Sequence, residues 1–414
     1  MILHISTFQA EGGAAVAASR LNRALRNHGV DSRLLVYRVV KPEVGVTAWA
    51  DTSWKEKMFW LRFGAERLRF LPYEKDKSVR FAFSPAAVGV PLERHPLVQQ
   101  ASVINLHWIN FGFVSLGGLE KLFRLGKPVV WTMHDMWAFT GGCHYSRGCE
   151  RYRSHCGFCP YLKNPGEHDL SSQIFNRKKN LLAAAPLTFV SPSRWLSGLI
   201  RHAALTDHLP VLTIPNPIDT SVFLPVDKGA VRRKLSLPVN KKLVLFAGAN
   251  TQDPRKGYAY FRDALNALAA TAGEIEILLF GKSQPDAYHD LQLPIHDLGK
   301  LTDTTQIAEA YAAADLMVVS SIEDNLPNTV MEAMACGTPV VGFDNGGIPD
   351  MIDHLKNGYV AEYRSAESLA EGIRWILEND ADENISHSAR QKVLETYAEG
   401  IVARQYEDLY QSLT

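Results

Sequence analysis

Short apolar runs rich in Val, Ile and Leu alternate along the chain with stretches whose apolar residues recur every three to four positions, a pattern that predicts strands followed by helices. The runs fall in two series. The first holds ILHIST (2–7), RLLVY (33–37), SVINLHW (102–108), PVVWTMH (128–134) and LTFVSPS (187–193); the second holds KLVLFAG (242–248), IEILLFG (275–281), LMVVSS (316–321) and PVVGFD (339–344). Nearly continuous apolar strands with helices between them suit parallel sheets covered on both faces, so the expected class is α/β with two parallel sheets. The stretch 211–229, VLTIPNPIDTSVFLPVDKG, is rich in Pro, Asn and Asp and reads as a passage between two domains. The expected boundaries are 1–216 and 217–395, followed by a helical segment at 396–414.

The segment 320–352 carries the densest chemistry. It reads as strand end, loop, helix TVMEAMAC stopped at Gly337, strand, and the turn Gly346-Gly347. Asp324 lies in the loop and Glu332 in the first two turns of the helix, so one carboxylate can reach a sugar while the other reaches ribose hydroxyls. The amides at the helix start, near Asn328 and Thr329, are left for an anionic diphosphate. Gly346 and Gly347 either bring backbone amides close to a sugar or phosphate or simply form a left-handed turn.

D-x7-E followed by AMACGTPVV resembles the E-x7-E signature of retaining GT-B glycosyltransferases of the family 4 type, the group 1 enzymes of bacterial capsule, exopolysaccharide and lipopolysaccharide synthesis. Asp324 stands where that family usually has Glu, with Glu323 just before it, so the first acidic position is Asp324 or Glu323. The resemblance implies GT-B architecture: two Rossmann-like domains facing across a cleft, the first on the acceptor side, the second binding a nucleoside diphosphate sugar. It also implies a C-terminal helix that crosses back to the first domain. Lys256 matches the family's Lys-Gly, and with Arg255 it would neutralise the diphosphate. Gly248 is the first Gly of that motif; the Arg that usually follows is absent, because Ala249 is there. Lys282 is implied as a donor contact, and residues 296–301 resemble the segment whose backbone meets the base. Gly12 and Gly13 follow the opening strand, where small residues let backbone approach a ligand, and related enzymes place this loop beside donor diphosphate and acceptor. His134 ends a strand at the carboxyl edge of the first sheet, where such enzymes carry a His against the donor sugar; His107 is the weaker candidate. Asp324, His134 and Lys256 are therefore the expected catalytic set, and no catalytic cofactor is expected.

The cysteines form a separate pattern. Cys143, Cys149, Cys156 and Cys159 are spaced C-x5-C-x6-C-x2-C in an insertion at 141–160, with His144 and His155 interleaved. Four thiolates suit structural zinc, the closing C-x2-C acting as a knuckle; free thiols or two disulfides are the alternatives.

Composition narrows the partners. The 414 residues balance 44 Lys and Arg against 44 Asp and Glu, so no global field recruits nucleic acid. The opening strand has no basic leader, and no apolar run approaches the roughly twenty residues that span a bilayer. A cytoplasmic location follows, with the inner membrane face as a further candidate. Trp54, Met58, Leu61, Ala65, Leu68 and Leu71 recur at near-helical spacing among Lys55, Lys57, Arg62, Arg67 and Arg69, which suits either an anionic membrane surface or a cover for the first core. The expected function is transfer of a sugar to a glycan or lipid-linked glycan acceptor. The rivals are a GT-B epimerase or phosphorylase, discriminated by acceptor and phosphate dependence, and a noncatalytic sugar-nucleotide-binding scaffold.

Overall fold

A computed structural model describes residues 1–183, 185–247, 253–269, 274–281, 288, 290–380 and 383–414. The chain divides into two compact units, Met1–Asn216 with Val402–Thr414, and Pro217–Ile401.

The first unit is built on a parallel sheet of β1 (Ile2–Ser6), β2 (Ser32–Val36), β3 (Val46–Ala48), β4 (Val103–Leu106), β5 (Val129–Thr132), β6 (Leu187–Ser191) and β7 (Val211–Thr213), in the order β3-β2-β1-β4-β5-β6-β7. Every residue of β1, β4, β5 and β6 is buried, as apolar runs on a sheet covered on both sides should be. Alternation then sorts the two faces. Leu3 and Ile5 join Leu35, Ile104, Leu106 and Trp131 in the larger core, while Ile2 packs with Val103, Val130 and Val190 against Leu21 and Leu25 of helix Gly13–Asn27 and Tyr406 and Tyr410 of helix Glu399–Leu413. The strand order reverses between β1 and β4, and the carboxyl ends at such a switch point are where open α/β sheets bind ligands. Val211–Thr213, expected to lie in the passage between domains, instead forms the edge strand β7 on β6.

The second unit carries a parallel sheet of β8 (Lys242–Ala247), β9 (Ile275–Phe280), β10 (Ile295–Asp297), β11 (Leu316–Val319), β12 (Val340–Phe343) and β13 (Gly358–Ala361), in the order β10-β9-β8-β11-β12-β13. Its switch point lies between β8 and β11. The loops after those two strands carry Lys256 and Asp324. No described helix is long and apolar enough to cross a membrane.

Candidate nucleotide-sugar site

In the second unit, a 3-10 turn at Pro254–Lys256 follows β8, and Asp253 caps it by accepting from the Arg255 amide at 3.0 Å. The chain then turns at Gly257, whose φ of 63° and whose missing Cβ both matter: a Cβ there would meet the Ser320 carbonyl oxygen at 1.9 Å. This close approach staples the β8 loop to the end of β11. Ile322 N donates to the Arg255 carbonyl at 2.7 Å, and Ser320 Oγ donates to the Lys256 carbonyl at 3.0 Å. The Lys256 side chain is thereby aimed across to Asp324, with Nζ 2.7 Å from Oδ2.

A second staple holds Asp324 from the other side. Gly346, at φ 63°, leaves room for the Asp324 carbonyl oxygen, which a Cβ would meet at 1.9 Å, and the Gly347 amide donates to that same oxygen at 3.2 Å. The adjacent glycines after β12 thus prop the acidic loop. Glu332, eight residues beyond Asp324 on helix Asn328–Ala335, is buried and accepts from Tyr311 Oη at 2.9 Å. Asn328 and Thr329 open that helix, which starts after Pro327 with no side-chain cap. At its other end the Arg390 guanidinium donates to the Ala335 carbonyl at 2.7 Å, a cation at the negative helix terminus.

Arg255 is held within its own loop by Asp253, with Nη2 2.7 Å and Nε 3.3 Å from the two carboxylate oxygens. Burial pushes the Asp253 carboxyl up, but the Arg255 charge and hydrogen bonds outweigh it and hold the group below the usual range. Gly248 and Lys282 lie outside the described residues.

In the first unit, Gly12 takes φ 91° and ψ 164° at the start of helix Gly13–Asn27, a conformation suited to glycine, and open space surrounds the position its Cβ would occupy. Beside it, buried Gln9 clamps the loop after β2, donating to the Lys41 carbonyl at 2.7 Å and accepting from the Val40 amide at 2.9 Å.

His134 stands two residues beyond β5 and is partly exposed. Its Nε2 is 3.0 Å from His107 Nδ1, and His107 Nε2 is 2.9 Å from Nδ1 of His4 on β1. His107 therefore belongs to a line of three imidazoles from three adjacent strands. His4 escaped the sequence reading, because a lone His in an apolar strand gives no local sign of a partner about a hundred residues away. Burial lowers the His4 ring to about 3 and His134 to about 4, and pushes His107 well down, so all three are neutral near pH 7. The neighbouring Asp135 accepts from Trp108 Nε1 at 2.9 Å, the Trp137 amide at 2.8 Å and His144 Nδ1 at 2.6 Å. Desolvation raises its carboxyl, but His144 and these donors together hold it below the ordinary value.

The structure gives no support to the expected tetrathiolate zinc centre. All five cysteines are free thiols, and among the described residues no group of three or more His, Cys, Asp or Glu is arranged to hold a metal ion. Cys156 and Cys159 pack in the first unit's apolar core, where burial lifts their thiols to about 12 and about 11; Cys143 is pushed well above its usual value for the same reason. The interleaved histidines are engaged elsewhere. His144 is bonded to Asp135 and to Ser84 Oγ at 2.9 Å, and His155 lies 3.0 Å from Ser172 Oγ. Beyond this insertion, on helix Leu170–Leu182, Lys178 is fully buried, donating to the carbonyls of Trp137 and Thr140 with its ammonium 3.6 Å from the centre of the Trp137 ring.

The chain is similar to known proteins in sequence and in fold. A family model described as Glycosyltransferase Family 4 matches residues 11–222, and one described as Glycosyl transferases group 1 matches residues 241–379. The chain is 28% identical over 275 residues to WcaC of Escherichia coli, named for colanic acid biosynthesis as a glycosyl transferase, covering 64% of each protein. It is 27% identical over 220 residues to the N-acetyl-alpha-D-glucosaminyl L-malate synthase of Bacillus anthracis, covering 50% of this chain and 55% of that one. The matches thus span less than two thirds of these relatives. Among solved structures, Anabaena Alr3699/HepE in complex with UDP and glucose superimposes with a TM-score of 0.67 over 99% of both chains at 16% identity, a likeness of fold. With two parallel-sheet units of the GT-B kind and both family patterns matched along it, the chain belongs to glycosyltransferase family 4, among the group 1 glycosyl transferases.

Proposed function

We propose that this protein is a retaining glycosyltransferase that moves a sugar, of hexosyl type, from a nucleoside diphosphate sugar to a glycan or lipid-linked glycan acceptor in surface polysaccharide synthesis, lipopolysaccharide included. The observation that carries the reading is the Lys256–Asp324 pair fixed by two glycine staples at the switch point of the second sheet, with Glu332 one helix further on. A relative named for colanic acid biosynthesis and a similar fold solved with UDP and glucose support the substrate class.

The chemistry asks for charge stabilisation rather than a covalent nucleophile. The bond between the anomeric carbon and the diphosphate oxygen breaks, with its electron pair leaving on the phosphate. The acceptor hydroxyl oxygen bonds that carbon from the same face, and its proton passes to the departing phosphate oxygen. Lys256 and the amides opening helix Asn328–Ala335 stabilise the charge that appears on the leaving group. Asp324 orients sugar hydroxyls, Glu332 holds the ribose, and His134 supplies a neutral hydrogen-bonding group to the donor sugar. Arg255, already paired with Asp253, contributes at longer range. No catalytic metal is invoked.

The acceptor's lipid carrier would bring the protein to the cytoplasmic face of the membrane. The exposed apolar stripe of helix Ser53–Phe70 supports that placement.

The test combines ligand binding with turnover. Melting temperature is measured against UDP, GDP, ADP and their sugars, and the stabilising donor is then supplied with acceptor. Transfer with retained anomeric configuration is expected, and Lys256→Ala should lower kcat by about 100-fold or more. Donor turnover that needs no acceptor would favour an epimerase, and turnover that needs phosphate a phosphorylase. Nucleotide binding without consumption, or full activity in Lys256→Ala, would overturn the assignment.

A further inference from the structure

Three neutral imidazoles in line must share their protons in one of two ways. Each internal contact, His4 Nδ1 to His107 Nε2 at 2.9 Å and His107 Nδ1 to His134 Nε2 at 3.0 Å, holds one proton between two nitrogens. A neutral ring carries only one N–H, so fixing the direction of one contact fixes the whole line. If protons point toward His134, then His4 donates to His107, His107 donates to His134, and His134 carries its own proton on Nδ1. If they point the other way, Nδ1 of His134 is bare and His4 carries a proton on Nε2.

The two ends of the line differ. His4 is completely buried, and its Nε2 has no hydrogen-bond partner. Tyr410 approaches the ring edge-on, with centroids 6.3 Å apart, and its Oη meets Asn105 Nδ2 rather than His4 Nε2. An orphaned buried N–H is rarer than an under-used acceptor, so the arrangement that leaves a lone pair on His4 Nε2 is favoured. Asp135 does not set the tautomer of His134 instead: its oxygens accept from Trp108, Trp137 and His144, and it makes no hydrogen bond to the His134 ring.

We propose that His4 and His107 are positioning residues: the imidazole line from β1 through the end of β4 holds His134 in the tautomer with its proton on Nδ1. His134 then presents a neutral donor, specific for an acceptor atom such as a sugar hydroxyl oxygen. This deepens the functional reading above and rests on it only for the identity of the ligand.

Nitrogen NMR of histidine-labelled protein, free of ligand at pH 7, tests the proposal because the ring nitrogens report which one holds the proton. The wild type should show His134 protonated on Nδ1. His4→Leu should leave His134 as a mixture of tautomers, whereas His4→Asn, whose amide N–H reaches where Nδ1 stood, should restore the single form. A bare His134 Nδ1 in the wild type, or an unchanged His134 signal in folded His4→Leu, overturns the proposal; the wild-type spectrum decides even if His4→Leu does not fold. With UDP-glucose and UDP as probes, His4→Leu should weaken the sugar nucleotide about 5-fold, the worth of one hydrogen bond, and leave UDP unchanged. The predicted tautomers with no binding of either probe would support the imidazole line while counting against the functional reading.

Discussion

Lys256 and Arg255 are adjacent cations with different commitments. Arg255 forks onto Asp253 two residues away, while Lys256 reaches 68 residues along the chain to Asp324. The Lys256 side chain is about one-third exposed, and an ion pair in such a setting is worth about 1 kcal/mol or less, so an arriving diphosphate can draw the ammonium away at little cost. The histidines store a larger pH-dependent term. Their folded values lie below the unfolded 6.5, mainly through burial; neighbouring imidazoles press His107 further down, and Asp135 opposes the shift at His134. The stability from keeping them neutral is complete above about pH 6.5 and is lost as the pH falls toward 4, because the unfolded chain takes up protons that the folded rings refuse. Each ring adds a slope of up to about 1.4 kcal/mol per pH unit in that window. Denaturation followed between pH 7 and 4.5 should show this decline, and His4→Asn should flatten it by about one proton; an unchanged slope would place the acid sensitivity elsewhere.

Helix Ser53–Phe70 shows where periodicity reads well and where it fails. Its inward face is anchored by Glu66, which accepts from the amides of Ala86, Ala87 and Val88 at 2.6, 3.0 and 3.1 Å, and by Phe70, stacked on Phe83 at 4.7 Å. A hydropathy pattern treats a glutamate as surface, so the sequence showed the apolar stripe but not which way it faced. Trp54 is 66% exposed, Leu61 63% and Leu68 66%, and Trp60 joins them. The same distinction runs through the molecule. Apolar runs foretold both parallel sheets, whereas short strands such as β3 and β10, with little apolar content of their own, are set by their neighbours. The acidic segment was readable because its residues are close in sequence; Tyr311 behind Glu332 and His4 behind His107 were not, since only the fold brings them together. If the stripe lies on lipid, the protein should co-sediment with vesicles containing anionic lipid. Trp60→Ser with Leu68→Ser should weaken that binding at least about 10-fold without altering melting, because two large apolar side chains would no longer enter the interface. Equal binding by the double variant, or none by the wild type, would remove the membrane from the reading.

The chain passes from the first unit to the second after Asn216 and returns after Ile401, so the first unit is completed only by residues 402–414, after the whole of the second unit. That return is specific in its chemistry. Tyr406 and Tyr410 are buried beneath the sheet with Val402, Ala403 and Leu409, packing on Ile2, Val103, Val130 and Val190. Asn105 Nδ2 donates to Tyr410 Oη at 2.6 Å, and Thr132 Oγ1 lies 3.2 Å from Tyr406 Oη. Asn105 and Thr132 are also bonded to each other at 3.0 Å, which makes a polar strip across β4 and β5 that the two tyrosine hydroxyls meet. Removing residues 402–414 would expose that strip and the part of the sheet face that the helix covers, at a cost of several kcal/mol confined to the first unit. Two units of separate core need not melt together. Thermal unfolding of the truncated chain should therefore show one transition shifted down by many degrees and the other in place, with limited proteolysis cutting first within residues 1–216 and sparing 217–401. Tyr410→Phe, which keeps the ring and loses only the hydroxyl partner of Asn105, should cost about 1 kcal/mol and shift the same transition alone. A truncated chain that melted like the full one, or lost both transitions equally, would show that the returning helix does not carry the first unit's stability.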